Sequence, residues 1–147
     1  MNALPTVNPT VIWNWGVCQK YRDADHLQNV TSGHQQMNAF DVLALPIRDV
    51  DKLWVILRTE FLPLEVLNRF CDRLLAAVPN DSEAAADATA LERARMITTR
   101  REAHDYWAVS RHTTAVLDRL KLSVPTDEHA RQITILSEEI KRWLNEN

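Results

Sequence analysis

The two glycines in 147 residues, Gly16 and Gly33, stand too far apart for a dinucleotide fingerprint or a phosphate-cradling loop. Both motifs need glycine where backbone closes on phosphate, so nucleotide binding by those routes is excluded. Cysteine is equally sparse. Cys18 and Cys71 are isolated, with no apolar leader ahead of them, which fits reduced thiols in a cytoplasmic protein, buried as small hydrophobes. Apolar runs such as Trp54-Val55-Ile56-Leu57 fall far below the roughly 18 residues needed to cross a bilayer. An excess of positive charge is also missing: 17 Lys and Arg against 20 Asp and Glu give a formal charge of −3. No overall electrostatic footprint for nucleic acid or an anionic membrane follows from that balance.

What is present is the composition of one soluble domain, 46% hydrophobic and 25% charged. A chain of this length buries roughly 68–70% of its unfolded surface and needs no disulfide or structural metal to hold a core. After residue 37 the abundance of Ala, Leu, Arg and Glu favours helices, because these side chains lose little rotamer freedom there. The expected fold is all-α: a bundle of about five helices over residues 37–147, preceded by an irregular arm over 1–36 with one short element.

Spacing places the helices. Over 49–61 the apolar residues Val50, Leu53, Trp54, Leu57 and Phe61 recur at steps of three and four, with Asp49 as the expected cap. Pro63 fits the first turn of the next helix, whose stripe is Leu67, Phe70, Cys71, Leu74, Leu75 and Val78, ended by Pro79 and Asn80. From Asp81 or Ser82 to about Lys121 there is no Gly or Pro, which reads as one long helix or two broken near Thr98-Thr99. Its set Met96, Ala103, Tyr106, Ser110, Thr113, Leu117 and Leu120 carries small and hydroxyl residues and predicts close packing on neighbours. In the last helix Thr126 is the expected cap, Asp127 and Glu128 complement the dipole's positive end, and Lys141 and Arg142 its negative end. Its buried face is expected at Ile133, Leu136, Ile140, Trp143 and Leu144. In the arm, Asn8 and Pro9 suggest a helix start rather than a strand. Residues 38–45 read as a short helix stopped by Pro46.

The densest polar cluster is Arg100-Arg101-Glu102-Ala103-His104-Asp105, followed by Ser110, Arg111 and His112. His104-Asp105 matches a dipeptide of metal-dependent phosphohydrolases, but five His and eleven Asp produce about 0.4 such pairs by chance. Glu102 and Asp105 share a helix face, as in helical magnesium-dependent pyrophosphohydrolases, yet the second acidic pair that chemistry requires is missing, since no Glu-x-x-Glu occurs. Cys18, His26, His34 and Cys71 lack the short spacing that pre-organises zinc, and His104 and His112 lie about 12 Å apart along a helix. Ser110 and His112 face apart, and no nucleophile elbow is present. No metal, cofactor or catalytic residue is therefore assigned, and these tests weigh against an enzyme.

Five tryptophans remain. Trp54 and Trp143 fit core positions by their spacing, whereas Trp107 cannot share a face with Tyr106, so one of those rings belongs at a rim, pocket or interface. Trp13 and Trp15 mark a surface covered by the arm, on its own subunit or a second one. Arg100, Arg101, Trp107 and Arg111 are the expected partner-binding residues, Arg because its fork pairs bidentately with carboxylates. If the chain instead binds a small ligand, the pocket is expected at Glu102, His104, Asp105, Tyr106, Trp107 and His112.

Asp51-Lys52-Leu53-Trp54-Val55-Ile56-Leu57-Arg58, Phe61-Leu62-Pro63, Leu67-x-x-Phe70, Pro79-Asn80-Asp81 and the alanine-rich Glu83 to Arg95 together resemble a group of bacterial and phage helical immunity proteins. The resemblance covers residues 50–96 and departs from that pattern at Cys71-Asp72-Arg73. It implies a toxin-neutralising or accessory role by binding and transfers no catalytic residue.

The leading expectation is thus a helical protein acting by binding another protein, or by self-association. A helical small-ligand binder or phosphohydrolase-like enzyme is the alternative. A DNA-associated regulator using Arg93, Arg95, Arg100 and Arg101 ranks last, because those arginines do not share one helix face and the net charge opposes phosphate.

Overall fold

The computed structural model describes residues 2–13, 29, 31, 33–78 and 106–146. Six helices have their bounds within these residues: α1 (Pro9–Trp13), α2 (Ala39–Leu43), α3 (Asp49–Ile56), α4 (Leu64–Ala76), α5 (Tyr106–Arg119) and α6 (Pro125–Leu144). The all-α expectation holds. Among the described residues the β pairing is one isolated antiparallel bridge between Val7 and Met37. The 20-residue α6 is the hub, packing against α3, α4 and α5, while α2 packs on α3 and α4 on α5. The shared core takes Leu53 and Ile56 from α3, Phe70 and Leu74 from α4, Val109 and Val116 from α5, and Leu136 and Ile140 from α6. Each such side chain contributes roughly 1.5–3 kcal/mol by leaving water.

Local chemistry explains most helix starts. Asn8 accepts the amide of Thr10 at 2.9 Å and so caps α1, the helical alternative for the arm. Asn38 and Asp41 form a reciprocal capping box at 3.0 and 2.9 Å, and α2 then ends at Leu43, two residues short of expectation. Two expected caps are corrected. Arg48, extended and without a side-chain cap bond, precedes α3, so Asp49 is its first helical residue rather than its cap. Val124 precedes α6, and Thr126 lies inside the helix. The ring of Pro125 explains the second shift: it forces Val124 to extended backbone (ψ 152°) and is itself pre-set for the first turn. Pro63 likewise sits just outside α4, where its carbonyl accepts the amides of Val66 and Leu67.

Helix ends follow packing. The expected helix over 49–61 stops at Ile56, because Val55, Ile56, Leu57, Phe61 and Leu62 are all buried and no single helix face holds that run. The chain turns instead, with Phe61 and Leu62 donating to the carbonyl of Arg58. α5 closes with the amides of Lys121 and Leu122 on the carbonyls of Asp118 and Leu117 at 3.0 and 2.9 Å, a Schellman closure. Lys121 takes φ 59° there, a left-handed position usually given to glycine, which this chain scarcely uses. The earlier part of the segment from 81, and with it the choice between one long helix and two broken near Thr98-Thr99, lies outside the described residues.

Burial on α5 includes the expected Tyr106, Ser110, Thr113 and Leu117 and adds Val109, Thr114 and Val116, while Leu120 is half-buried. On α6 the buried face is Glu128, Gln132, Ile135, Leu136, Glu139 and Ile140. The expected Ile133, Trp143 and Leu144 are only half-buried. Cys71 is fully buried, as a small hydrophobe should be. Part of the arm is packed on the bundle: Val7 and Ile12 belong to its core, and Asn2 donates to the carbonyl of Trp143 at 2.7 Å.

Candidate functional site

α5 carries two different faces. Inward, Ser110 and Thr114 meet Gln132 and Glu128 of α6, four buried polar side chains bonded to one another. The Ser110 hydroxyl donates to Gln132 Oε1. Gln132 Nε2 then donates to Glu128 Oε2 at 2.8 Å and lies 3.2 Å from Thr114 Oγ1. The Thr114 hydroxyl donates to the Ser110 carbonyl at 2.9 Å. Glu128 is fully buried on the inner side, and Arg131 clamps it with Nε and Nη2 at 2.6 and 2.7 Å. A buried carboxylate held by a bidentate guanidinium and an amide is fully satisfied. The chemistry here is structural, because every polar atom of the set is committed to another.

Outward, α5 presents Trp107, Arg111, Ala115 and Asp118 at steps of four, four and three, which align on one side of a helix. These residues, with Thr114, form one wall of a cleft of about 330 Å³, closed by Val50 from α3 and by Pro125 and His129 from α6. A neighbouring hollow of about 470 Å³ shares Val50, Pro125 and His129 and runs on past Ile47, Arg48, Asp49 and Thr126. Together they make a groove across the start of α3 and the start of α6. Trp107 is half-buried and Arg111 exposed one turn later, so an aromatic plane and a guanidinium fork stand side by side.

The expected site residues divide accordingly. Trp107 and Arg111 share the cleft wall. Tyr106 is only 3% exposed, belongs to the core and does not line this cleft; as expected for neighbours on a helix, one ring of the pair is inside and the other at a rim. His112 is half-buried and is not part of this wall. Arg100, Arg101, Glu102, His104 and Asp105 lie outside the described residues, as do Cys18, Trp15, Arg93 and Arg95. Among the described residues no cluster of His, Cys, Asp and Glu could hold a metal ion, and no helix is long and apolar enough to cross a membrane.

Sequence reasoning missed Val50, Pro125 and His129 as cleft residues, and Glu128, Gln132 and Glu139 as buried ones. A signal for the second set existed. Glu128, Gln132, Ile135, Leu136, Glu139 and Ile140 recur at steps of four, three and one, the period of one helix face.

A second charged array joins α4 to α6. Arg69 meets Glu146 with two bonds of 2.7 and 3.1 Å, Arg73 reaches Glu138 and Glu139 at 3.0 and 3.4 Å, and Arg142 lies near Glu139 and Glu146. The hydrogen bond from Arg69 holds the Glu146 carboxyl below its ordinary range, with the charges of Arg69 and Arg142 acting in the same direction. At the start of the bundle Arg48 pairs with the buried Asp51 at 3.0 Å, and Arg58 lies 4.5 Å over the Trp54 ring. Burial pushes the Arg58 guanidinium down from its ordinary value. The chain matches no protein-family model, no curated protein and no solved structure.

Proposed function

We propose that this protein acts by binding another protein, as an immunity-like or accessory factor, through the groove walled by Trp107 and Arg111. The observation that carries this reading is the pairing of those two side chains on one exposed wall that continues into an apolar floor. Trp and Arg dominate the energetics of protein interfaces, Trp by its contact area and Arg by its bidentate fork. The resemblance of residues 50–96 to immunity proteins supports the same class of function, since Val50 at the start of that stretch lines the groove.

Native mass spectrometry of the complex purified gently from source cells tests the reading, with wild type compared against Trp107→Ala/Arg111→Ala. Expected is a stoichiometric protein partner on the wild type whose occupancy falls at least about tenfold in the double variant, the loss of one hot-spot contact. A partner retained equally by both overturns the assignment to this groove. The cleft volume of about 330 Å³ also lies in the range of small-molecule sites, which favours ligand binding as the second reading. A retained small molecule on a bare chain would install that reading instead.

A further inference from the structure

Arg111 and Asp118 stand toward opposite ends of the α5 wall of the groove. Both are exposed, both line the cleft, and neither forms an ion pair with another described residue. The α4–α6 face is different, because its arginines are matched by glutamates. Seven residues along a helix set Arg111 and Asp118 about 10 Å apart. Between them the wall offers Thr114, whose hydroxyl is already committed to Ser110 and Gln132, and the small Ala115, faced by Val50 and Pro125.

From this arrangement we infer that the partner segment seated in the groove is dipolar. It places an apolar side chain over Val50, Ala115 and Pro125, a carboxylate against Arg111 and a cationic side chain against Asp118. The inference rests on reading the groove as a docking surface and adds the chemistry of what docks. A wholly acidic segment would set a carboxylate against Asp118, and a wholly basic one a cation against Arg111; like charges brought together in a half-enclosed groove select against both. A neutral segment would cover two charges without pairing either. A second copy offering the same groove would set one concave surface against another. Trp107, one turn before Arg111, adds a flat apolar face beside the acidic end of the segment.

The test uses alanine-based helical peptides with a central leucine and two charged positions seven residues apart, in Glu/Lys, Glu/Glu, Lys/Lys and Gln/Gln versions. Each is titrated into the full chain while the indole N–H resonance of Trp107 is followed. The Glu/Lys peptide should bind about tenfold more tightly than either like-charge version. Arg111→Glu should move the preference to Lys/Lys, and Asp118→Lys should move it to Glu/Glu. Both positions are exposed, and circular dichroism confirms that each variant remains helical. A ranking that the two reversals leave unchanged overturns the dipolar assignment. Ala115→Trp fills the groove and separates the two levels of the argument. If it blocks every peptide while the ranking ignores charge, the dipolar assignment fails alone. If peptides bind it as well as they bind wild type, or if none binds the wild type, the docking surface fails with it.

Discussion

Gln132 is the residue on which the contact between α5 and α6 turns. Its amide oxygen accepts from Ser110, and its amide nitrogen serves Glu128 and lies within reach of Thr114. A leucine there would keep the volume and remove those bonds, leaving the buried Ser110 hydroxyl without its acceptor and Glu128 Oε2 with Arg131 alone. The cost of such orphaned groups is about 1–3 kcal/mol, more than the net worth of the bonds themselves. Gln132→Leu should therefore lower the unfolding free energy by that amount, read by tryptophan fluorescence as a lower urea midpoint at an unchanged slope. A variant as stable as wild type would mean that apolar packing replaces the network without loss, as happens for some buried ionic groups. Arg131 keeps its hold on Glu128 in either case, so the variant isolates the amide.

At the scale of elements, the α4–α6 charge array gives a pH signature with a definite sign. The Arg69 hydrogen bond lowers the folded-state pKa of Glu146, so the ionised form is favoured more in the folded than in the unfolded chain. Its contribution is complete above the unfolded carboxylate value of about 4.3 and is lost as pH falls through the depressed folded value. Glu146→Gln should be less stable than wild type near neutrality, with the difference vanishing in acid and shrinking in high salt, because both partners are partly exposed. Urea titrations across a pH series check it; a difference that persists in acid would assign the effect to packing.

The helices themselves were legible because apolar residues at steps of three and four mark a face whatever lies opposite. Tyr106, Ser110, Thr113 and Leu117 were found that way and are buried. Helix ends were less legible: Val124 becomes the N-cap because Pro125 follows it, and α3 stops at Ile56 because five neighbouring apolar side chains need burial in more than one direction. Glu128, Gln132 and Glu139 escaped because a polar side chain ordinarily marks the outside of a helix. Their burial depends on partners such as Ser110 and Arg73 that come from other elements. The same holds for the groove. Trp107 and Arg111 could be singled out from their own helix, whereas Val50, Pro125 and His129 join them only through the packing of α3, α5 and α6.

For the whole molecule, the arm is the part whose standing differs most from its sequence character. Its prolines and lack of periodicity suggest an appendage, yet Val7 and Ile12 are 7% and 1% exposed within the same core as the bundle. The amide of Val7 donates to the carbonyl of Met37 at 2.7 Å, and the amide of Met37 donates back at 2.9 Å. A chain starting at Asn38 would therefore uncover the surface that Val7, Ile12 and Met37 now fill. Burying two such side chains is worth about 3–5 kcal/mol, a large share of the 5–15 kcal/mol by which domains are stable. The truncated chain should unfold at a clearly lower urea concentration and bind a hydrophobic dye. Residues 2–13 of the arm pack on their own chain, so the midpoint for the full-length protein should not change with protein concentration. A midpoint that rises with concentration would show that folding and association are linked, as they are when an arm is exchanged between two copies. A truncation that is equally stable would instead make the arm an addition to a bundle complete without it.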